Sequence, residues 1–274
     1  MKTRTDKKLT QKQRFEYIRA CIHKSGEVEV ANTAEILGIS QETVRRDLNV
    51  LATRGELRKT HGGAVRAQSN FELAFAERLI NHRYEKEAIA NEAVKILSPG
   101  DSMFIDSGST TIAFSEKIIG IKNLTVFTNS PLIAKILWEL NRDANISICL
   151  LGGHYAGEYV ENLGAMVLGQ MKDFFVDHAF IGAGAIHSEL GVMDQHHGEA
   201  ILARQMFLQS RHHVVLADGS KIGQHGLVHV VGFDQVDVLI TNPFIHAELT
   251  RALNKNSVRL IVCPPAKSHE VEVL

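Results

Sequence analysis

Cysteine, proline and aromatic residues are scarce in this 274-residue chain: three cysteines, five prolines, one tryptophan and 6% aromatics. Cys21, Cys149 and Cys263 are odd in number and far apart, which argues against a disulfide framework and against a Cys-x-x-Cys zinc site. No apolar run approaches the ~20 residues that a membrane-spanning helix needs. The charged start Met1-Lys2-Thr3-Arg4-Thr5-Asp6-Lys7-Lys8 has no apolar stretch behind it to make a signal peptide, so a cytoplasmic protein without a membrane partner is expected. Net charge is nearly absent as well, at −1, with 45% apolar and 22% charged residues. At this length two domains are comfortable, and a core can form without disulfides or a structural metal.

The small net charge conceals an asymmetry. Residues 1–66 carry 14 Lys and Arg against 8 Asp and Glu, whereas residues 67–274 carry 16 against 23. A basic head on an acidic body suggests that the head meets a polyanion and the body does not.

The head reads as three helices and a hairpin. Residues 11–24 place Phe15, Ile18 and Ile22 at helical spacing, and residues 30–37 form a short second helix ended by Gly38. Ser40 then stands as N-cap of a third helix whose buried stripe is Val44, Leu48 and Leu51, with Thr43 where a capping box would place Glu. Ala34, Gly38 and Val44 hold the offsets of a helix-turn-helix: a small residue at the crossing, a glycine turn and an apolar anchor on the second helix. Gln41, Glu42, Thr43, Arg45 and Arg46 then face outward as donors and acceptors for base edges and phosphates. Two short extended pieces within 56–65 make a wing carrying Arg58, Lys59 and His61. DNA is the expected partner of residues 1–66.

Residues 67–82 lack a clean period and read as a linker, and residues 83–97 return to a strong helical pattern. From there apolar runs at 102–106, 124–128, 146–151, 178–183, 213–217, 236–241 and 258–263 alternate with helical stretches. That alternation predicts an α/β domain over 83–274, a mostly parallel sheet with helices on both faces.

Three strand ends in this domain carry turns suited to an anion. Ser107-Gly108-Ser109-Thr110-Thr111 follows one strand and opens a helix, where backbone N–H groups can cradle a phosphate. Thr128-Asn129-Ser130 follows the next strand and Gly152-Gly153 the third. Ligands of open α/β sheets sit at the carboxyl ends of strands, so the three turns can converge on one crevice. Asp106 either accepts hydroxyls of a ligand or caps its own loop. Lys221, after the 213–217 strand, either supplies charge to the phosphate or is solvated. Asp194 and Glu199 flank a polar loop that can line the crevice.

Thr43-Val44-Arg45-Arg46-Asp47-Leu48, with Leu51, Gly55, Arg58 and His61-Gly62-Gly63-Ala64, resembles the DeoR family of bacterial transcriptional repressors. The resemblance continues through Gly100-Asp101, Asp106 to Thr111, Leu124-Thr125-Val126, Thr128-Asn129-Ser130, Gly152-Gly153, Ala217-Asp218 and Ser220-Lys221, in family order over about residues 10–263. It implies an N-terminal winged helix-turn-helix and a C-terminal sensor similar in fold to sugar-phosphate isomerases, answering to a phosphorylated sugar. A single winged helix buries a small interface with DNA, so useful specificity needs two or more copies on repeated half-sites, and a homo-oligomer, dimer or tetramer, is expected. The family commonly has a basic residue shortly after Gly-Gly, where this chain has His154, Tyr155 and Ala156.

Neither catalysis nor a cofactor is expected. The stretch Phe180 to Ile186, in place of the isomerases' carboxylate-rich turn, has no acid or base. No metal site is expected either: His196-His197 and His212-His213 are adjacent pairs whose side chains diverge. A nucleoid-type DNA binder would leave the second domain unexplained.

Overall fold

The computed structural model describes residues 9–25, 27–53, 57–66, 75–140, 144–157, 160–243 and 246–264. The chain separates into two compact units, Met1–Phe71 and Glu72–Leu274.

The first unit runs α1 (Gln11–Ser25), β1 (Glu27–Glu29), α2 (Val30–Leu37), α3 (Gln41–Thr53), β2 (Leu57–Lys59) and β3 (Gly63–Arg66). Gly38 ends α2 at φ +62°, its N–H turned back to the carbonyls of Ala34 and Glu35. Glycine reaches that left-handed conformation without a Cβ clash. Ser40 Oγ then accepts the Thr43 N–H at 3.2 Å and bonds the Thr43 hydroxyl at 2.9 Å. Thr43 thus closes the cap through its own hydroxyl where a glutamate would have reached back. Phe15, Ile18 and Ile22 of α1, Val30 and Ala34 of α2, and Val44, Leu48 and Leu51 of α3 form one core with Val28, Leu57 and Ala64 of the strands. The strands pair antiparallel in the order β1-β3-β2, so the wing gains a third strand that periodicity did not show.

One ion pair ties α1 to α3. Arg14 Nε lies 2.6 Å from Asp47 Oδ2 and Nη2 3.1 Å from Oδ1, and Asp47 is buried. Replacing Arg14 with alanine leaves a buried carboxylate without this partner, which costs about 2 kcal/mol. Thermal unfolding of the full-length protein should show the transition of the first unit moved down while that of the second stays in place. An unmoved first transition would show that solvent screens Asp47 well enough.

The second unit runs α4 (Phe75–Ile80), α5 (Arg83–Ala93), β4 (Ser102–Ile105), α6 (Ser109–Ser115), β5 (Thr125–Thr128), α7 (Pro131–Leu140), β6 (Ser147–Leu150), β7 (His154–Ala156), β8 (Glu161–Leu163) and α8 (Ala165–Met171). It continues with β9 (Val176–Ile181), β10 (Ala185–His187), β11 (Gly191–Asp194), α9 (His197–Leu208), β12 (Ser210–Leu216), β13 (Val228–Val231), β14 (Val238–Thr241), α10 (Ala247–Lys255) and β15 (Arg259–Val262). Seven strands form a parallel sheet in the order β15-β14-β12-β9-β4-β5-β6. Successive side chains of each strand enter different cores. Met103 and Ile105 pack with Phe75, Ile89, Phe114 and Ile133 from α4 to α7. Phe104 packs with Met171, Met206, Phe207 and Leu253 from α8 to α10. No described helix is long and apolar enough to cross a membrane.

The expected linker 67–82 needs correction. Residues 67–74 lie outside the described residues, but Phe75–Ile80 is a helix whose Phe75 is buried in the second unit's core. Lys86 Nζ donates to the Asn81 carbonyl at 2.6 Å and to the Arg78 carbonyl, fastening the end of α4 to α5. A six-residue helix is too short to show a period, and its anchor is one phenylalanine.

Candidate functional site

The exposed face of α3 presents Gln41, Glu42, Arg45 and Arg46, with Thr43 half-buried and Ser40 exposed at the cap. Its opposite face is fixed by Val44, Leu48 and Leu51. Glu42 engages both arginines: Oε1 lies 3.5 Å from Arg46 Nε, and Oε2 4.0 Å from Arg45 Nη1. Arg45 also reaches Gln41 Oε1 at 3.4 Å. Lys59 and His61 are exposed on the wing; Arg58 lies on β2 opposite Val65, its side chain outside the described residues.

In the second unit, β4, β5 and β6 succeed one another towards one edge, and β9 lies on the other side of β4. The connections therefore reverse between β4 and β9, the switch point at whose carboxyl ends open α/β sheets hold their ligands. Asp106 stands there. Its Oδ1 accepts the Ser107 N–H at 2.7 Å and its Oδ2 the Gly182 N–H at 3.1 Å, joining the loops after β4 and β9. Of its two expected roles, capping the loop is the one that these bonds show. The hydroxyl of Thr111 is turned back to the carbonyls of Asp106 and Gly108. Gly108 is the N-cap of α6 and brings no capping side chain, so the N–H groups of Ser109, Thr110 and Thr111 stand in a first helical turn without intrahelical partners.

Beside this loop stands a residue that sequence reasoning missed. Glu161, on β8, is 0% exposed. Ser107 Oγ donates to its Oε2, and Asn129 Nδ2 reaches the same oxygen at 3.2 Å. Two buried acceptors here, Glu161 Oε1 and Asn129 Oδ1, have no hydrogen-bond partner among the described residues. Burial, with Asp106 and Asp194 adding repulsion against the two hydrogen bonds, pushes the Glu161 carboxyl up to about 7. The hairpin β7–β8 delivers it: Asn162 N–H donates to the Asn129 carbonyl at 2.8 Å, and Asn162 Nδ2 to the Leu151 carbonyl at 2.9 Å.

A stability test follows from the sign of that shift. A carboxyl held above its ordinary value of 4.5 loses stability as pH rises through 4.5 to 7, and carries the full cost above 7. With chelator present, Glu161→Gln should melt above wild type at pH 8 by about 2–5 °C, and the gap should close towards pH 4.5. A lower melting point for the variant at pH 8 would mean that the ionised carboxylate is satisfied.

The other expected residues divide. Thr128, Asn129 and Ser130 are wholly buried, but Thr128 Oγ1 accepts the Ser130 N–H and Ser130 Oγ accepts the Ile133 N–H, so these two hydroxyls serve the start of α7. Gly152-Gly153 is a correction. The side chain of Gln170 binds both the N–H and the carbonyl of Gly152, at 3.1 and 2.7 Å. A Cβ on Gly153 would stand 2.6 Å from the Leu163 carbonyl, so this glycine is required for hairpin packing, and the pair is not an open anion cradle. Asp194 Oδ1 accepts the N–H groups of Gln195 and His196 at the entry to α9. Lys221 follows β12, two strands from β4, in a group with Asp218 and Lys86. Burial lowers the Lys86 ammonium to about 8, against the attraction of Asp218. His154 and Tyr155 are exposed on β7.

One described cluster joins an imidazole to two carboxylates. His197 is exposed, as divergence of the pair requires, but His196 turns towards two carboxylates remote in sequence or a turn away. Glu161, His196 and Glu199 each bring one ligand-type atom within 4.8 Å of the others.

Comparison with known proteins gives two family matches: the DeoR-like helix-turn-helix domain over residues 14–70 and the DeoR C terminal sensor domain over residues 81–243. The chain is 30% identical over 256 residues to the uncharacterized HTH-type transcriptional regulator YulB of Bacillus subtilis (strain 168), covering 93% of this chain and 98% of the relative. It is 26% identical over 255 residues to the glycerol-3-phosphate regulon repressor of Escherichia coli (strain K12), covering 93% of this chain and all of the relative. Among solved structures, ribose 5-phosphate isomerase A from Methanocaldococcus jannaschii matches at 18% identity with a TM-score of 0.39, over 52% of this chain and 55% of that one.

Proposed function

This chain belongs to the DeoR family of transcriptional regulators, and from that premise we propose that it represses a carbohydrate-catabolism operon and leaves its operator when a phosphorylated sugar binds the second unit. Residues 1–66 contact DNA. Arg45 and Arg46, with Ser40, Gln41, Glu42 and Thr43, enter the major groove, and Arg58, Lys59 and His61 grip phosphates from the wing. Residues 83–274 sense the effector, in a cytoplasmic dimer or tetramer that reads repeated half-sites. Light scattering that shows a monomer where operator is bound would overturn the assembly.

One observation carries the effector reading. At the switch point of the sheet, the start of α6, whose N-cap is Gly108, adjoins through Ser107 the buried Asn129, whose Oδ1 lacks a hydrogen-bond partner among the described residues. A phosphorylated polyol matches both halves: its phosphate takes the N–H groups of Gly108 to Thr111, and its hydroxyls donate to Asn129 and the neighbouring carboxylates Asp106 and Asp194. A relative named for the glycerol-3-phosphate regulon supports an effector of this class. Lys221 adds positive charge from the β12 side. The unit acts as a sensor without catalysis, since Gly182-Ala183-Gly184 after β9 offers no acid or base. Any effector must bind the DNA-free state more tightly than the bound state, or nothing is switched.

The test is a thermal-shift screen of phosphorylated sugars against the purified full-length protein, followed by titration of each hit into a preformed complex with operator. Stabilisation together with release of DNA is expected. Stabilisation only by unphosphorylated sugars would overturn the phosphate. The DNA face has its own test: Glu42→Gln frees both arginines of an exposed pair and should tighten binding to non-specific DNA by about 2–5-fold at low salt. Unchanged non-specific binding would place the two arginines away from the phosphates.

A further inference from the structure

We infer that Glu161, His196 and Glu199 form a binding site for a divalent metal ion of the manganese or zinc class. The three come from two separate elements. Glu161 stands on β8, His196 caps α9, and Glu199 lies in its first turn. Their ligand-type atoms lie within 4.8 Å of one another. Around an ion with bonds of about 2.0–2.2 Å, neighbouring ligand atoms stand roughly 3–3.5 Å apart, and His196 Nδ1 already lies 3.8 Å from Glu199 Oε1, so only a small closure is required. The side chains of His196 and Glu199 are 41% and 15% exposed, and small rotations of the two supply that closure.

The chemistry of Glu161 points to a cation. It is wholly buried, its Oε1 has no hydrogen-bond partner among the described residues, and the charges acting on it most are those of Asp106 and Asp194, which repel it. A buried carboxylate needs an opposite charge or several donors. The two donors that it has, Ser107 and Asn129, both lie on Oε2. They fix the orientation of the carboxylate and leave the second oxygen open, the arrangement by which hydrogen bonds outside a metal's ligands hold a ligand in place. His196 is likewise preset, with its backbone N–H on Asp194 and its Nδ1 only 3.4 Å from the Glu199 N–H, a long cap bond that is cheap to surrender. One imidazole with two carboxylates is too soft a set for magnesium or calcium and suits manganese or zinc. The site rests on these ligands alone and stands whether or not the crevice takes a phosphorylated sugar.

The experiment is a manganese(II) titration of tag-free, chelator-stripped, full-length protein, followed by electron paramagnetic resonance. Wild type should bind one ion per chain, and pulsed spectra should show nitrogen coupling from one imidazole. Glu161→Gln and Glu199→Gln should each weaken binding at least tenfold, His196→Ala should remove the nitrogen coupling, and His197→Ala should change neither. Circular dichroism of each variant establishes that it is folded, and Glu161→Gln keeps the volume and the acceptor used by Ser107. No saturable binding by wild type overturns the inference. So does equal affinity in folded Glu161→Gln and Glu199→Gln, or nitrogen coupling that survives His196→Ala.

Discussion

Alanine at both Arg45 and Arg46 should weaken operator binding by roughly two to four orders of magnitude, at about 1–3 kcal/mol for each arginine that reads a base. The geometry supports a clean loss. Both side chains project from the exposed face of α3, 56% and 77% exposed, while the helix is held by Val44, Leu48 and Leu51 beneath and by Arg14–Asp47 at its side. Neither arginine contributes to the core, so the fold and its melting point should stay within error. The two single variants separate the roles. Removing an arginine that reads a base relaxes specificity at one operator position, whereas removing one that grips a phosphate weakens all sequences alike and lowers the salt slope by about one. Fluorescence anisotropy with operator and scrambled DNA across a salt series reads both. If neither single variant changes affinity or slope, α3 is not the helix in the groove.

The reach of sequence reasoning follows from how local each signal is. The helix-turn-helix was legible because Ser40, Gly38 and the Val44-Leu48-Leu51 stripe all act within one or two turns of chain. The seven parallel strands were legible because both faces are covered, so that each reads as a short, nearly continuous apolar run. The hairpin β7–β8 and the sheet β10-β11-β13 were not, since strands of three or four residues are too short to establish alternation. Glu161 was invisible for the same reason. It lies in a segment without period, and its partners Ser107, Asn129, Asp194 and His196 come from three other strand ends. The one local hint was Asp194-x-His196-x-x-Glu199 at the start of α9, where a helix-entry cap and an inward histidine share one turn. Gly152-Gly153 misled in the opposite direction: the residue type suited an anion, but the third strand's turn spends its N–H on Gln170. Composition alone cannot distinguish a glycine that admits a ligand from one that admits a neighbouring strand.

Ser109→Asp should abolish the response to a phosphorylated effector while leaving operator binding and fold intact, giving a repressor that cannot be induced. Ser109 is the first residue of α6, partly exposed, and the N-cap before it is Gly108, which has no side chain to cap the helix. An aspartate there faces the positive end of the helix and its orphan N–H groups, an interaction that stabilises the free protein slightly. The same carboxylate occupies the place proposed for the phosphate and repels it at short range, in a crevice that already holds Asp106, Glu161 and Asp194. Loss of affinity is therefore expected from both occupancy and charge, and the small gain in helix stability prevents unfolding from imitating it. Ser109→Ala is the control: it keeps every backbone N–H and should retain most of the response. The measurement is titration of the effector found by thermal shift into a preformed complex of variant and operator. Wild-type release by Ser109→Asp would remove the phosphate from the start of α6. The group of Lys86, Asp218 and Lys221 would then be the place to look, because the charges of Asp218 and Lys221 act on the Lys86 ammonium there, beyond a strand two places from β4.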